Sequence, residues 1–168
     1  MDGSGYPNGL KGEEIDPLAR VLGLVNAYDR LCNPASHQEA MTPYGALSYL
    51  FASERKKYDG TILNLMIKSL GVYPPGSVVQ LSDGVYGIVI LVNPQKLLRP
   101  YIMLHDKRAE RHTPSMLDLG AEVDTSISKC VRVDQLPPEV AEYLQCRKKL
   151  SYYFSTECAM FQGETTTV

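Results

Sequence analysis

Apolar residues recur at helical spacing three times in the first seventy positions. Leu18, Val21, Leu22, Val25, Tyr28 and Leu31 follow Asp16-Pro17, an N-cap with proline in the first helical position, and predict a buried helix over 17–32. Thr42-Pro43 repeats that signal before Ala46, Leu47, Leu50 and Phe51, which predicts a second helix. Asp59 caps a third, carried by Ile62, Leu63, Met66, Ile67 and Leu70 and stopped by Gly71.

The pattern changes period at Tyr73-Pro74-Pro75-Gly76. Val78, Val79 and Leu81, an Asp83-Gly84 turn and the run Val85 to Val92 read as a β-hairpin, and Tyr101 to Leu104 as a further strand. A small curled antiparallel sheet is expected between Gly76 and Asp106. Residues 107 to 124 read as loop, Cys130 to Val133 as one more strand, and Pro137-Pro138 as the start of a short helix through Cys146. Gly163 to Val168 reads as a frayed end. The expected fold class is α+β: about three helices over 1–72, an antiparallel β segment over 73–106, and a loop-rich tail with a short helix over 107–168.

Composition narrows the function classes. The chain has 168 residues, 44 % of them hydrophobic, enough for one core or two small ones. A formal charge of −2 leaves no basic stripe, so nucleic acid is not expected as a partner. No apolar run approaches the length of a membrane span, and the N-terminus lacks a secretory layout. Cys32, Cys130, Cys146 and Cys158 contain no Cys-x-x-Cys pair and read as reduced cytosolic thiols. Neither His37, His105 nor His112 belongs to a helical pair suited to metal.

The densest local signal is Asp2-Gly3-Ser4-Gly5-Tyr6-Pro7-Asn8-Gly9, in which glycine and proline specify a rigid loop of the kind that braces a site. Gly9-Leu10-Lys11-Gly12-Glu13-Glu14-Ile15, Leu18-Ala19-Arg20 and Ala27-Tyr28-Asp29 follow it, then Tyr73-Pro74-Pro75-Gly76, Leu81-Ser82-Asp83-Gly84, Val92-Asn93-Pro94 and Leu98-Arg99-Pro100. In this order the motifs resemble the second half of an HD-GYP domain, from Asp2 to about Asp106. The resemblance implies a bacterial, cytoplasmic, metal-dependent phosphodiesterase that hydrolyses cyclic di-GMP, with iron or manganese expected for an intact member. It also implies that the His-Asp pair and the His-His-Glu before the loop lie upstream of Met1. On that view Met1 is an internal methionine taken as a start, or the gene is truncated, and neither metal ligands nor cofactor are expected in this chain.

The resemblance assigns roles position by position. Asp2, Gly3, Gly5, Tyr6 and Pro7 form the family loop, for which a regulatory protein contact or a plain structural turn are the two readings. Asn26 occupies the place of a metal-binding aspartate; an amide lacks the charge that bridges cations, and an asparagine bonded to a neighbour on a buried face is the alternative. Ala35 and Gln38 occupy the places of two phosphate-contacting cations, so phosphate clamping is expected to be lost, with His37 as a stand-in donor or a solvated loop residue. Arg55-Lys56-Lys57 and Arg147-Lys148-Lys149 read as solvated helix ends. Tyr152-Tyr153-Phe154 reads as a dock for the tail on the β segment or as a partner patch.

These residues support a phosphodiesterase fragment inactive as written, or a non-catalytic interaction or cyclic di-GMP-sensing module. Its exposed helical face and Gly-Tyr-Pro loop are the candidate surfaces for other signalling proteins. An independent small barrel binding peptide or nucleic acid rests on the hairpin signals alone.

Overall fold

The computed structural model describes residues 1–6, 8–36, 39–105 and 115–146. Its helical body comprises α1 (Pro17–Cys32), α2 (Pro43–Ala52) and α3 (Gly60–Leu70). Each begins where a short polar side chain satisfies free backbone N–H groups: Asp16 accepts from Leu18, Thr42 from Gly45, and Asp59 from Thr61 and Ile62. Gly71, at φ +74°, ends α3 in a conformation closed to most side chains. Leu24, Tyr28 and Cys32 of α1 pack with Ala46, Leu47 and Leu50 of α2 and Leu63 and Leu70 of α3 into one core.

The sheet comprises β1 (Val78–Leu81), β2 (Tyr86–Leu91), β3 (Tyr101–Leu104), β4 (Ser115–Asp118) and β5 (Ile127–Val131), all antiparallel, in the order β4-β3-β2-β1-β5. Register shifts at Gln80/Leu81 and Val89/Leu91 are bulges, which bend and twist strands and so curl the sheet. Strand alternation sends Val79, Leu81, Val89 and Ile102 to one face, closed by Leu119. Val78 and Val131 point the other way, beneath Leu136, Val140 and Leu144 of the segment carrying α4 (Pro138–Tyr143). Gly87 leaves room for Ile102: a Cβ there would stand 2.4 Å from its Cγ2 and 2.9 Å from the Met103 carbonyl.

Residues 119–126 connect the sheet's two edge strands. Arg99 holds this crossing by donating to the carbonyls of Leu119 at 3.1 Å, of Glu122, and of Thr125 at 3.4 Å, and the Lys96 ammonium donates to Gly120 O at 2.7 Å. Helical body and sheet meet where Tyr44 stacks on Tyr73, with centroids 5.3 Å apart, and where Gly71 lies against Val92.

The α+β class and the helices at 17–32, 43–52 and 60–70 agree with the sequence pattern. The sheet is larger than expected. β4 lies inside the stretch read as loop, and β5 ends at Val131, with Val133 in a 3-10 turn instead of a strand. Both are short edge strands whose partners are distant in sequence, so local periodicity carries little of their signal. The last helix stops at Tyr143 rather than Cys146. Because α2 ends at Ala52, Arg55-Lys56-Lys57 is not its last turn; Arg55 sits over the Phe51 ring at 5.2 Å, and Lys57 pairs with Glu54 at 2.6 Å. The segments 147–149, 152–154 and 163–168, with His37, His112 and Cys158, lie outside the described residues. Cys32, Cys130 and Cys146 are free thiols.

Candidate functional site

The glycine loop is closed by its own backbone. Asp2 bridges Lys11, Gly9 N donates to Gly5 O at 3.0 Å, and Gly12 N donates to Met1 O at 3.2 Å. The Asp2 carboxylate accepts from the Ser4 hydroxyl at 2.7 Å and the Ser4 N–H at 3.0 Å, which together hold it below the usual aspartate range. Gly3 is required twice over: φ is +86°, and a Cβ would fall 3.1 Å from the Gly9 carbonyl and against the Lys11 side chain. Gly5 has no such constraint, with open space around it. The loop presents Tyr6 at 98 % exposure; Pro7 lies outside the described residues.

Arg20 anchors the loop to the helices. Its Nε donates to Ile15 O at 2.8 Å and its guanidinium reaches the Asp59 carboxylate at 3.4 Å, joining the loop's end, α1 and the start of α3. Backbone N–H donation from Thr61 and Ile62, with Arg20 adding to it, holds Asp59 below the usual carboxylate range.

Helix α1, expected to be a buried helix, is buried along one stripe only. Leu18 is 73 % and Leu22 68 % exposed, and Val21 and Val25 are exposed as well. Asn26 and Asp29 fall on the same open side at three- and four-residue spacing. Asn26 is therefore not an asparagine buried on a packed face, because the core contacts of α1 lie opposite, through Leu24 and Tyr28. Asp29 accepts from the Asn33 amide at 2.8 Å.

Ala35 is exposed at the rim of a cleft beside the end of α1, and Gln38, its companion in the sequence reading, lies outside the described residues. Sequence reasoning passed over the other polar residues of this cleft, among them Arg30, Glu39, Tyr49, Glu54 and Tyr58. They come from three separate segments, so no local pattern in the sequence pointed to them.

Among the described residues, no three His, Cys, Asp or Glu side chains come together to hold a metal ion. His105 stands at the end of β3, edge-on to Tyr143 with centroids 5.0 Å apart. The described side chains thus do not fit an iron or manganese centre. The thiols sit in apolar surroundings, and burial pushes Cys32 up to about 11 and Cys130 up to about 12, so neither is a ready thiolate ligand at neutral pH.

Residues 1–62 match the HD domain family. A cyclic di-GMP phosphodiesterase of Pseudomonas aeruginosa is 29 % identical over 122 residues, which cover 71 % of this chain and 29 % of that protein. The cyclic di-GMP phosphodiesterase PdeB of Borreliella burgdorferi is 23 % identical over 139 residues, covering 81 % of this chain and 37 % of that protein. A cyclic di-GMP phosphodiesterase response regulator of Xanthomonas campestris is 36 % identical over 67 residues, covering 40 % of this chain and 18 % of that protein. The chain carries an HD-GYP-like domain region.

The chain spans only about a fifth to two fifths of the length of these relatives. The match to PdeB, covering 81 % of the chain, necessarily runs past Asp106, so likeness to that relative reaches farther into the sheet than the motifs alone indicated. No solved structure matches the chain. No helix among the described residues is long and apolar enough to cross a membrane.

Proposed function

We propose that this chain is the loop-and-helix part of a cyclic di-GMP phosphodiesterase of the HD-GYP type, and that these 168 residues do not hydrolyse the dinucleotide by themselves. The observation that carries the reading is the HD domain match over residues 1–62 together with relatives named cyclic di-GMP phosphodiesterases. In that chemistry bound cations supply an activated water beside the phosphodiester. Asn26, in the place of a ligand aspartate, offers a carbonyl oxygen and no negative charge. Hydrolysis on this scaffold therefore depends on ligands from other residues, meeting the open side of α1 where Leu18, Leu22 and Val25 offer an apolar seat. The same reading puts the protein in the bacterial cytoplasm, with Tyr6 as a contact for another signalling protein.

The test is hydrolysis of cyclic di-GMP by the 168-residue chain with manganese(II) or anaerobic iron(II), followed by chromatography of linear products. The expected result is no product above a metal-only blank. Turnover accompanied by stoichiometric bound metal overturns the proposal. The second reading, a non-catalytic receiver of cyclic di-GMP or a scaffold, is favoured by Asn26 and by Ala35, which remain neutral whatever other residues are added. Calorimetry separates the two roles: binding without turnover supports the receiver, and absence of binding removes it.

A further inference from the structure

Four steps along the chain put a glycine directly after an aspartate or an asparagine: Asp2-Gly3, Asn8-Gly9, Asp59-Gly60 and Asp83-Gly84. At such a step the glycine nitrogen can close a five-membered ring on the preceding side-chain carbonyl carbon, because no Cβ on the glycine obstructs the approach. Asn33 and Asn93 are excluded from this chemistry, since each precedes a proline whose nitrogen has no proton to give up.

In three of the four steps the side chain is tied elsewhere. Asp2 accepts from the Ser4 N–H at 3.0 Å and the Ser4 hydroxyl at 2.7 Å, Asp59 from the Thr61 N–H at 2.9 Å and the Ile62 N–H at 3.3 Å, and Asp83 from the Val85 N–H at 3.0 Å. A carboxylate anion resists attack by a nitrogen, and the same donations hold Asp2 and Asp59 below the usual carboxylate range and so keep them anionic.

Asn8 differs on both counts. Its side chain is a neutral amide, is exposed, and forms no hydrogen bond with another described residue. The restraint on this step comes from the backbone: Gly9 N–H donates to Gly5 O at 3.0 Å, with Gly9 at φ +58°. A nitrogen that keeps its proton in a hydrogen bond is not a nucleophile, so ring closure requires this turn to open first.

We propose that Asn8 is a self-modification site of the glycine loop, converting to isoaspartate through attack by Gly9 N at a rate set by opening of the Gly5–Gly9 contact. The N–Cγ bond forms, the Cγ–Nδ2 bond breaks, and the Gly9 proton passes through solvent to the leaving nitrogen, which departs as ammonia. Water then opens the imide at Cγ to give aspartate, or at the Asn8 main-chain carbonyl to give isoaspartate. The reaction needs neither metal nor dinucleotide. Either product places a negative charge two residues from Tyr6, and isoaspartate adds one main-chain atom inside the turn that Gly5 O and Gly9 N close. The modified loop cannot close as before, which alters how Tyr6, 98 % exposed, is presented.

The test is ageing of the 168-residue chain in mildly alkaline buffer, folded and, in parallel, unfolded in urea. Peptide mapping with electron-transfer fragmentation tells isoaspartate from aspartate. Asn8 is expected to be the first of the four steps to change, with isoaspartate the larger product, and to change about fivefold more slowly in the folded chain, the factor that one backbone hydrogen bond supplies. Gly3→Ala, whose added Cβ crowds the Gly9 carbonyl and the Lys11 side chain, is expected to raise the folded rate to the unfolded one. Asn8→Gln is expected to melt as wild type, because the position is exposed, and to show no change there, because its ring would need another atom. No conversion at Asn8 in either state, or earlier conversion at Asp2, Asp59 or Asp83, overturns the site. Equal folded and unfolded rates, or a Gly3→Ala rate matching folded wild type, overturn its control by the turn.

Discussion

The helical body and the sheet are built from similar proportions of apolar residues, yet they dispose of them in opposite ways. The sheet covers both of its faces, one by its own curl and Leu119, the other by Leu136, Val140 and Leu144. The helical body covers one side of α1 and leaves Leu18, Leu22 and Val25 in the open. A curled sheet packs side chains of its own strands against one another, whereas a helix with apolar residues around most of its circumference needs neighbours on more than one side. On the helical body this leaves apolar surface next to the loop and Asn26, while the sheet region exposes Leu91, Leu98, Met116 and Val123 on its strands and loops.

The largest test of that contrast is truncation of a sealed residue. Ile102→Ala, at a fully buried position of the sheet, is expected to cost about 3 kcal/mol in urea unfolding. Next comes Gly87→Ala, where the added Cβ must displace Ile102 and press on the Met103 carbonyl; a loss of about 2 kcal/mol is expected. Arg99→Ala removes three donations to the crossing segment, and a cost of about 1 kcal/mol is expected with faster amide exchange over residues 119–126. A wild-type exchange pattern in that variant would show that the crossing does not depend on Arg99.

The open side of α1 gives the complementary result. Leu22→Ser is expected to change stability by no more than about 0.5 kcal/mol in the 168-residue chain while reducing self-association. A loss comparable to Ile102→Ala would erase the contrast between the two regions.

The smallest effect concerns pH and Asp59. Its folded pKa lies below its ordinary value of 3.8, so its contribution is full above that value and is lost as pH falls through the folded pKa. Asp59→Asn keeps the helix cap and abolishes the titration. Melting curves below pH 4 are expected to fall less steeply for the variant than for wild type. Parallel curves would show that the Asp59 carboxylate has the same pKa in the unfolded chain.

Helix boundaries were legible because caps are local: Asp16, Thr42 and Asp59 each bond to a backbone group two or three residues away. The hairpin turn was legible for the same reason, since Asp83 accepts from Val85 and Gly84 takes φ +86°. β4 was not, because Ser115-Met116-Leu117-Asp118 becomes a strand through pairing with Tyr101–Leu104, outside its own neighbourhood. Of the candidate site, the glycine loop and Asn26 could be named from motif order. The cleft holding Arg30, Glu39 and Tyr58 could not, because its walls come from segments nearly thirty residues apart.

Sequence by itself determined the helices, the first hairpin, the loop and the likeness to HD-GYP domains, since each depends on neighbours along the chain or on the order of short motifs. Tertiary structure alone decided which side of α1 is covered, where β4 and β5 join the sheet, and that Arg30 and Glu39 share a cleft. A period of 3.6 shows that residues lie along a helix but not what stands opposite them; that depends on packing between distant segments, whose burial fixes which side chains remain free to bind.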